Sequence, residues 1–382
     1  MCPVVHTIYA RENPRNACMI AAIHKNTIKA KPTRTCFSRR DIVHREIVPV
    51  KNSLTTYEEL SDMNESFKVM LRKVAMCFGF GGLPSSYNDM GLLGLQRAQE
   101  EFGILFDFDL PEKETDMEYY LRKCARSQEY ELILAMGFAS GNPVLKVAAE
   151  YPNQKFAVLD ASVNMPNVAS YISNQVDIGF YTGYVAALIT KTKIVGSVWG
   201  VDYPIMRRWI AGTVEGAKYT DPDVEVLHSF VRSWSDPVTA KNLTLMQFSE
   251  GADIVVAHST EGDPGIIEAA QNQNKYVIGF GGARPKDPDH ILFDVNRHAE
   301  VAIYDAIKSV IEGAFQGNHV YRYGLAEGNW ILTLEDAHPL VTENTKMKAE
   351  NIKNKIIAGK ITLPNTDKEI AASVAKSKEI TL

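Results

Sequence analysis

The chain has 382 residues, 45% of them hydrophobic and 23% charged, the proportions of a soluble globular protein long enough for two or three domains. No stretch approaches the roughly 20 apolar residues that cross a bilayer. The net charge of -5 is uneven: residues 1–50 carry nine Lys/Arg against Glu12, Asp41 and Glu46, so the remainder sums to -11, a poor match to nucleic-acid binding, which needs a basic face. Cys2, Cys18, Cys36, Cys77 and Cys124 form no CxxC pair and have no His at ligand spacing, which argues for free thiols and against zinc or a disulfide framework.

Residues 1–70 are interrupted by Pro3, Pro14, Pro32 and Pro49, and Met19–Ile23 is too short for a signal-peptide core. An acid-poor segment of this kind suits an organellar transit peptide; the simpler readings are a disordered extension or a misplaced start. Glu58–Val69 is expected to lead into the body as a helix.

From Arg72 the pattern becomes a regular alternation of strands and helices. Val74–Phe78 reads as a strand ending in Gly79-Phe80-Gly81-Gly82, followed by a helix at Met90–Phe102 and another at Met117–Arg126. Leu132–Met136 and Phe156–Leu159 read as buried strands around a helix opened by Pro143 at its favoured first position. Beyond a helix at 177–190 come strand Ile194–Trp199, helix 204–218, strand Val224–Phe230 and helix Pro237–Phe248. Strand Ile254–Ala257, helix Pro264–Gln273, strands Tyr276–Phe280 and Ile291–Phe293 and a helix near 298–315 complete the run. About ten strand–helix pairs exceed one open sheet, so the expected architecture is α/β in two lobes, each a parallel sheet flanked by helices. The ligand-binding body spans 71–335, with the lobes divided near 175–200 and a crossover back near 291–330. Residues 336–382 form a C-terminal helical segment.

In such sheets ligands bind beyond the carboxyl ends of the strands, so the strand exits are the candidate site. Gly79–Pro84 fails the dinucleotide pattern, because Pro84 stands where a third glycine should pack, and no Gly-Lys-Ser/Thr phosphate loop occurs. Tyr87 beside Asn88 offers a stacking ring and an amide that can bond a base edge; the alternative is that Asn88 or Asp89 caps the helix. Gly137-Phe138 and Asp160 leave the next strands, where Asp160 can accept hydrogen bonds or merely cap a loop. In the second lobe Trp234 lies past its apolar strand beside a helix start at Asp236-Pro237, and Phe280 ends another strand among glycines. No G-x-S-x-G, H-E-x-x-H or cysteine signature is present, and His258 and His298 read as structural or solvent-facing rather than as general bases.

Residues of about 72–335 resemble the basic membrane protein (BMP) family, purine-binding substrate-binding lipoproteins of ABC-type importers. The resemblance is carried in order by Phe80-Gly81-Gly82, Ser86-Tyr87-Asn88, Met136-Gly137-Phe138, Val144–Ala148, Tyr151–Asp160, Gly183–Ala187, Lys191–Gly196, Ser233-Trp234-Ser235-Asp236, Gly251–Ile254 and Val301–Ile307. It implies a type I periplasmic-binding-protein fold without catalysis, cofactor or metal, holding a purine nucleoside or nucleobase in the cleft and serving an ABC-type permease. By the resemblance Tyr87 and Trp234 stack on the base and Asn88 bonds its edge. Gly137, Phe138 and Asp160 line the first lobe, and Arg297 stands where the family has a Lys that meets ribose hydroxyls. The chain departs from the family at Pro84-Ser85, where an acidic residue is usual. It departs again at Phe280–Arg284, where a ribose-binding Asp is expected, and this keeps a free base open beside a nucleoside. The resemblance implies an extracytoplasmic or membrane-associated protein, although no signal peptide or lipid-attachment motif is visible. A sensor using the same lobes without transport is the alternative, and a nucleoside hydrolase would need a carboxylate cluster or metal that the sequence does not show.

Overall fold

The computed structural model of the chain describes residues 72–80, 82–83, 86–281 and 287–382. The expected extension over 1–70, its Glu58–Val69 helix, Pro84, Ser85 and residues 282–286 lie outside the described residues.

The first sheet is built from β1 (Lys73–Cys77), β2 (Leu105–Asp109), β3 (Leu132–Met136), β4 (Phe156–Leu159) and β5 (Val168–Ser173), all parallel, in the order β2-β1-β3-β4-β5. Strands β3 and β4 are buried along their whole length, as an apolar run covered by helices on both faces requires. The helices are α1 (Ser86–Phe102), α2 (Glu114–Ser127) and α3 (Gly141–Glu150). Helix α1 begins four residues before the expected Met90, which places Tyr87 and Asn88 in its first turn. A short 3-10 turn, Phe138–Ser140, runs directly into α3, so Pro143 is its third residue rather than its first.

The chain then enters a second sheet through α4 (Gln175–Ile189), followed by β6 (Ile194–Trp199), α5 (Pro204–Thr220), β7 (Glu225–Phe230) and α6 (Pro237–Ser249). Next come β8 (Ile254–His258), α7 (Asp263–Gln273), β9 (Tyr276–Phe280) and β10 (Ile291–Arg297). The order is β7-β6-β8-β9-β10, so the two sheets repeat one topology. Helix α8 (Ala299–Ile311) returns to the first lobe and packs on α1. It stops short of the expected residue 315, ahead of Gly313 in a left-handed conformation (φ +71°). Strand β11 (His319–Tyr323) extends the first sheet beside β5, and β12 (Trp330–Thr333) pairs antiparallel with β10. The C-terminal segment holds α9 (Glu343–Ile357), α10 (Asp367–Val374) and a short strand β13 (Lys378–Glu379) that lies parallel to β7.

The chain thus passes between the sheets near residues 174, 298 and 324–329, and these passages are bonded to one another. Asn174 N donates to Tyr323 O and His298 N to Asn329 O, while the Trp330 indole N–H donates to Ser173 Oγ at 2.7 Å. Buried Asp177 accepts from Ile178 N and Leu325 N, and burial raises its pKa to about 7.

Helices α4 and α5 approach through glycines. A Cβ on Gly183 would collide with the Thr213 carbonyl, and one on Gly216 with the Phe180 carbonyl. Backbone cannot yield as a flexible side chain can, so Gly183→Ala should destabilise the fold by about 1–3 kcal/mol. Denaturant unfolding measures this, and an unchanged midpoint would contradict the close approach.

Candidate functional site

In a sheet of order 2-1-3-4-5 the order reverses between the first and third strands, and the crevice beyond their carboxyl ends is where ligands bind. The two reversals here lie at β1/β3 and β6/β8. Gly79 and Gly137 leave the first pair; Gly200 and His258 mark the ends of the second. Gly137 holds φ +99°, open to glycine but strained for other residues, and a Cβ there would lie 3.7 Å from the Gly79 Cα and 3.9 Å from the Tyr87 ring.

Three expected residues converge. The Tyr87 hydroxyl donates to Asp160 Oδ2 at 2.5 Å, and Arg297 Nη2 donates to Asp160 Oδ1 at 2.8 Å. The Arg297 guanidinium also lies 5.2 Å from the Tyr87 ring centroid and 5.4 Å from that of Trp330. Asp160 follows β4 of the first sheet and Arg297 ends β10 of the second, so this pair joins the lobes. The two side chains are 5% and 13% exposed. Burial, and then the charge of Asp160, hold the Tyr87 hydroxyl protonated well above its ordinary range. Burial disfavours the Arg297 charge, but attraction to Asp160 and Tyr87 outweighs it and raises the guanidinium pKa.

Two expected residues are otherwise engaged. Asn88 was expected to read a ligand edge, yet it is fully buried and its amide holds the glycine loop. Its Oδ1 accepts from Gly79 N at 3.1 Å, and its Nδ2 donates to the carbonyls of Gly79 at 3.0 Å and Gly82 at 2.8 Å. A loop of glycines offers backbone groups without side chains to cover them, and the nearest amide takes them up. Asp236 caps α6, its Oδ1 accepting from Thr239 N at 2.9 Å, a bond that lowers its pKa.

The remaining expected residues are rings on the strand exits. Phe138 is 55% exposed and tilts against Tyr203, a residue of the opposite lobe that the sequence reading did not single out, with centroids 4.9 Å apart. Trp234 is half-buried against Gly200, where any Cβ would strike its six-membered ring. Phe280 meets His258 edge-on at 3.7 Å between centroids and also packs on Trp209 and Trp330. His258 is therefore not solvent-facing; it is packed among aromatic rings, as the structural reading expects. Burial, with the nearby Arg297 charge, lowers its pKa to about 3 and keeps the imidazole neutral.

Among the described residues no group of three His, Cys, Asp or Glu could hold a metal ion, and Cys77 and Cys124 are buried free thiols. Among the same residues, no helix is long and apolar enough to cross a membrane.

Two parallel lobes with facing reversal points define the class of periplasmic solute-binding proteins with a type I-like fold. Residues 74–367 match the Bmp family, described as ABC transporter substrate-binding protein PnrA-like, and the chain belongs to that family. An uncharacterized lipoprotein of Pyrococcus abyssi is 30% identical over 285 residues, covering 68% of this chain and 69% of the relative. Basic membrane protein A of Borreliella burgdorferi is 25% identical over 293 residues, 73% of this chain and 84% of its own. The crystal structure of an ABC transporter system solute-binding protein from Aeropyrum pernix K1 superposes with a TM-score of 0.66 at 27% identity, over 80% of this chain and 99% of that one.

Removing one member of a buried ion pair leaves an uncompensated charge, so Arg297→Ala should cost about 3–5 kcal/mol of stability. The double variant Asp160→Asn/Arg297→Met should recover most of it; urea unfolding of both checks this, and a cost below about 1 kcal/mol for Arg297→Ala would contradict the pairing. The depressed His258 pKa has a pH consequence. Below the ordinary value of 6.5 the unfolded state takes up a proton that the folded state refuses until about pH 3. Relative to a His258→Phe variant, the native chain should therefore lose stability as pH falls through that window; parallel denaturation curves with pH would contradict it.

Proposed function

We propose that this chain is the solute receptor of an ABC-type importer and takes a purine nucleoside or purine base in the cleft between its lobes. The observation that carries the reading is the combination of ring faces with a charge-balanced polar centre at the strand exits. Tyr87, Phe138 and Trp234 stand at those exits, and Asp160–Arg297 meets Tyr87 with its charges mutually compensated. A planar, uncharged heterocycle is the ligand such a surface favours, because aromatic faces stack on it and the polar pair meets its hydrogen-bonding atoms. A phosphate would meet a guanidinium already neutralised by Asp160, and the sequence holds no phosphate loop.

Membership of a substrate-binding family of ABC transporters supports transport over catalysis and supports a permease as the partner. The lipoprotein and membrane-protein names of the relatives support an extracytoplasmic or membrane-associated site of action. A sugar end is served in this reading by Asp160 and Arg297, since Phe280-Gly281-Gly282-Ala283-Arg284 carries no carboxylate. Asn88 contributes indirectly, by shaping the Gly79 loop.

Titration calorimetry with adenosine, guanosine, inosine, adenine and guanine tests the proposal. Saturable binding of at least one is expected, with the ligand recovered unchanged; binding of none would overturn the purine reading, and release of free base from a nucleoside would overturn the receptor reading. Trp234→Ala should weaken binding by about 1–3 kcal/mol, roughly 5- to 150-fold in Kd, and an unchanged affinity would place the stacking surface elsewhere.

A further inference from the structure

His258 ends β8, one of the two strands at the reversal point of the second sheet. Its imidazole is surrounded by rings: Phe280 at 3.7 Å, Trp199 at 5.4 Å, Trp234 at 6.0 Å and Trp209 at 6.2 Å between centroids. Aromatic walls position a ring but satisfy its nitrogens poorly. Nδ1 of His258 is shielded from solvent and has no hydrogen-bond partner among the described residues.

Arg297, two strands away at the end of β10, is in the same condition. Its Nη2 is engaged by Asp160, while its Nε is buried and unpartnered among the described residues. Strand β9 lies between β8 and β10, and its last residue, Phe280, links the two positions: it packs edge-on against His258 and against Trp330, over which the Arg297 guanidinium sits. Two unmatched nitrogens therefore stand at the ends of strands on either side of β9, on the edge of the sheet where ligands bind. Buried polar atoms without partners are rare in native folds because each forgoes the hydrogen bonds that water would give it.

We propose that His258 Nδ1 and Arg297 Nε form a paired contact for the ligand, and that His258 is a specificity-determining residue of the cleft. Arg297 Nε can only donate, whereas a neutral imidazole can offer a lone pair. The pair thus selects a neutral ligand with a hydrogen-bond acceptor beside a donor. A ribose hydroxyl supplies both functions in one group, and a purine edge supplies them as a ring nitrogen next to an amino group. Charge gives an anion no advantage here, since the imidazole stays neutral near neutral pH and Asp160 already compensates Arg297. This inference rests on the purine-receptor reading for the ligand's identity but not for the chemistry of the contact.

The test compares the native chain with His258→Phe, which keeps a ring among the aromatics, and His258→Gln, which restores a polar group. Each is titrated with adenosine, adenine and ribose, and the His258 nitrogen resonances of the native chain are followed by nitrogen-15 NMR. His258→Phe should weaken binding at least tenfold, His258→Gln less, and the Nδ1 resonance should move on saturation. A loss with both adenosine and adenine assigns the contact to the base edge; a loss with adenosine alone assigns it to the sugar. Wild-type affinity in His258→Phe, or an Nδ1 resonance unmoved at saturation, would overturn the inference. If the native chain binds ribose but neither purine compound, the purine reading fails and the ribose affinity of the variants decides the inference. If it binds none of the three, both fail. Should His258→Phe not fold, His258→Gln and the NMR signal of the native chain decide.

Discussion

A guanidinium is tolerated in a protein interior only beside a compensating charge, and Arg297 has that charge in Asp160. The consequence is architectural, because the partners belong to different sheets. Asp160 leaves β4 in one lobe and Arg297 closes β10 in the other, immediately before the chain crosses back. The pair therefore restricts how the lobes stand to one another, and Tyr87 is drawn in by its bond to the same carboxylate. A ligand that reaches these groups must exchange hydrogen bonds with an existing network. Only a ligand offering matched donors and acceptors can do so without leaving a buried charge bare.

The rest of the body supports that contact. Each sheet repeats the 2-1-3-4-5 order, so each brings one reversal point to the carboxyl end of its strands. The three passages between lobes are hydrogen-bonded side by side around Ser173, His298 and Gly324–Trp330. Glycines let α4 and α5 close on each other at backbone distance, a rigid base for the second lobe.

Much of this was legible in the sequence where apolar runs are continuous. Leu132–Met136 and Phe156–Leu159 carry no polar residue, and the prolines at 204, 237 and 264 mark helix starts by their lack of an N–H. The strands that escaped notice are those whose polar residues are satisfied from a distance. Ser170 in β5 accepts a bond from Val163 N, and Ser173 meets Trp330. Leu105–Asp109 lies at a sheet edge where acidic residues are free to alternate with apolar ones, and β12 buries only Trp330 and Leu332. At the site, Tyr87 and Asp160 lie 73 residues apart and Asp160 and Arg297 lie 137 apart, and their convergence follows from the order of the strands rather than from any local pattern. Asn88 is ambiguous in sequence for a related reason: an amide beside glycines can face a ligand or the loop, and the loop carbonyls it bonds appear only on folding. His258 read equally well as structural or solvent-facing because the tryptophans that bury it lie up to 59 residues earlier in the chain, at Trp199 and Trp209.

The central claim is that these lobes hold a neutral purine compound. The most direct measurement is mass spectrometry of the small molecule retained by the full chain when it is purified under native conditions and then denatured. The account predicts a purine nucleoside or purine base released in proportion to protein. A stoichiometric ligand of another class, such as a phosphorylated nucleotide, would contradict it.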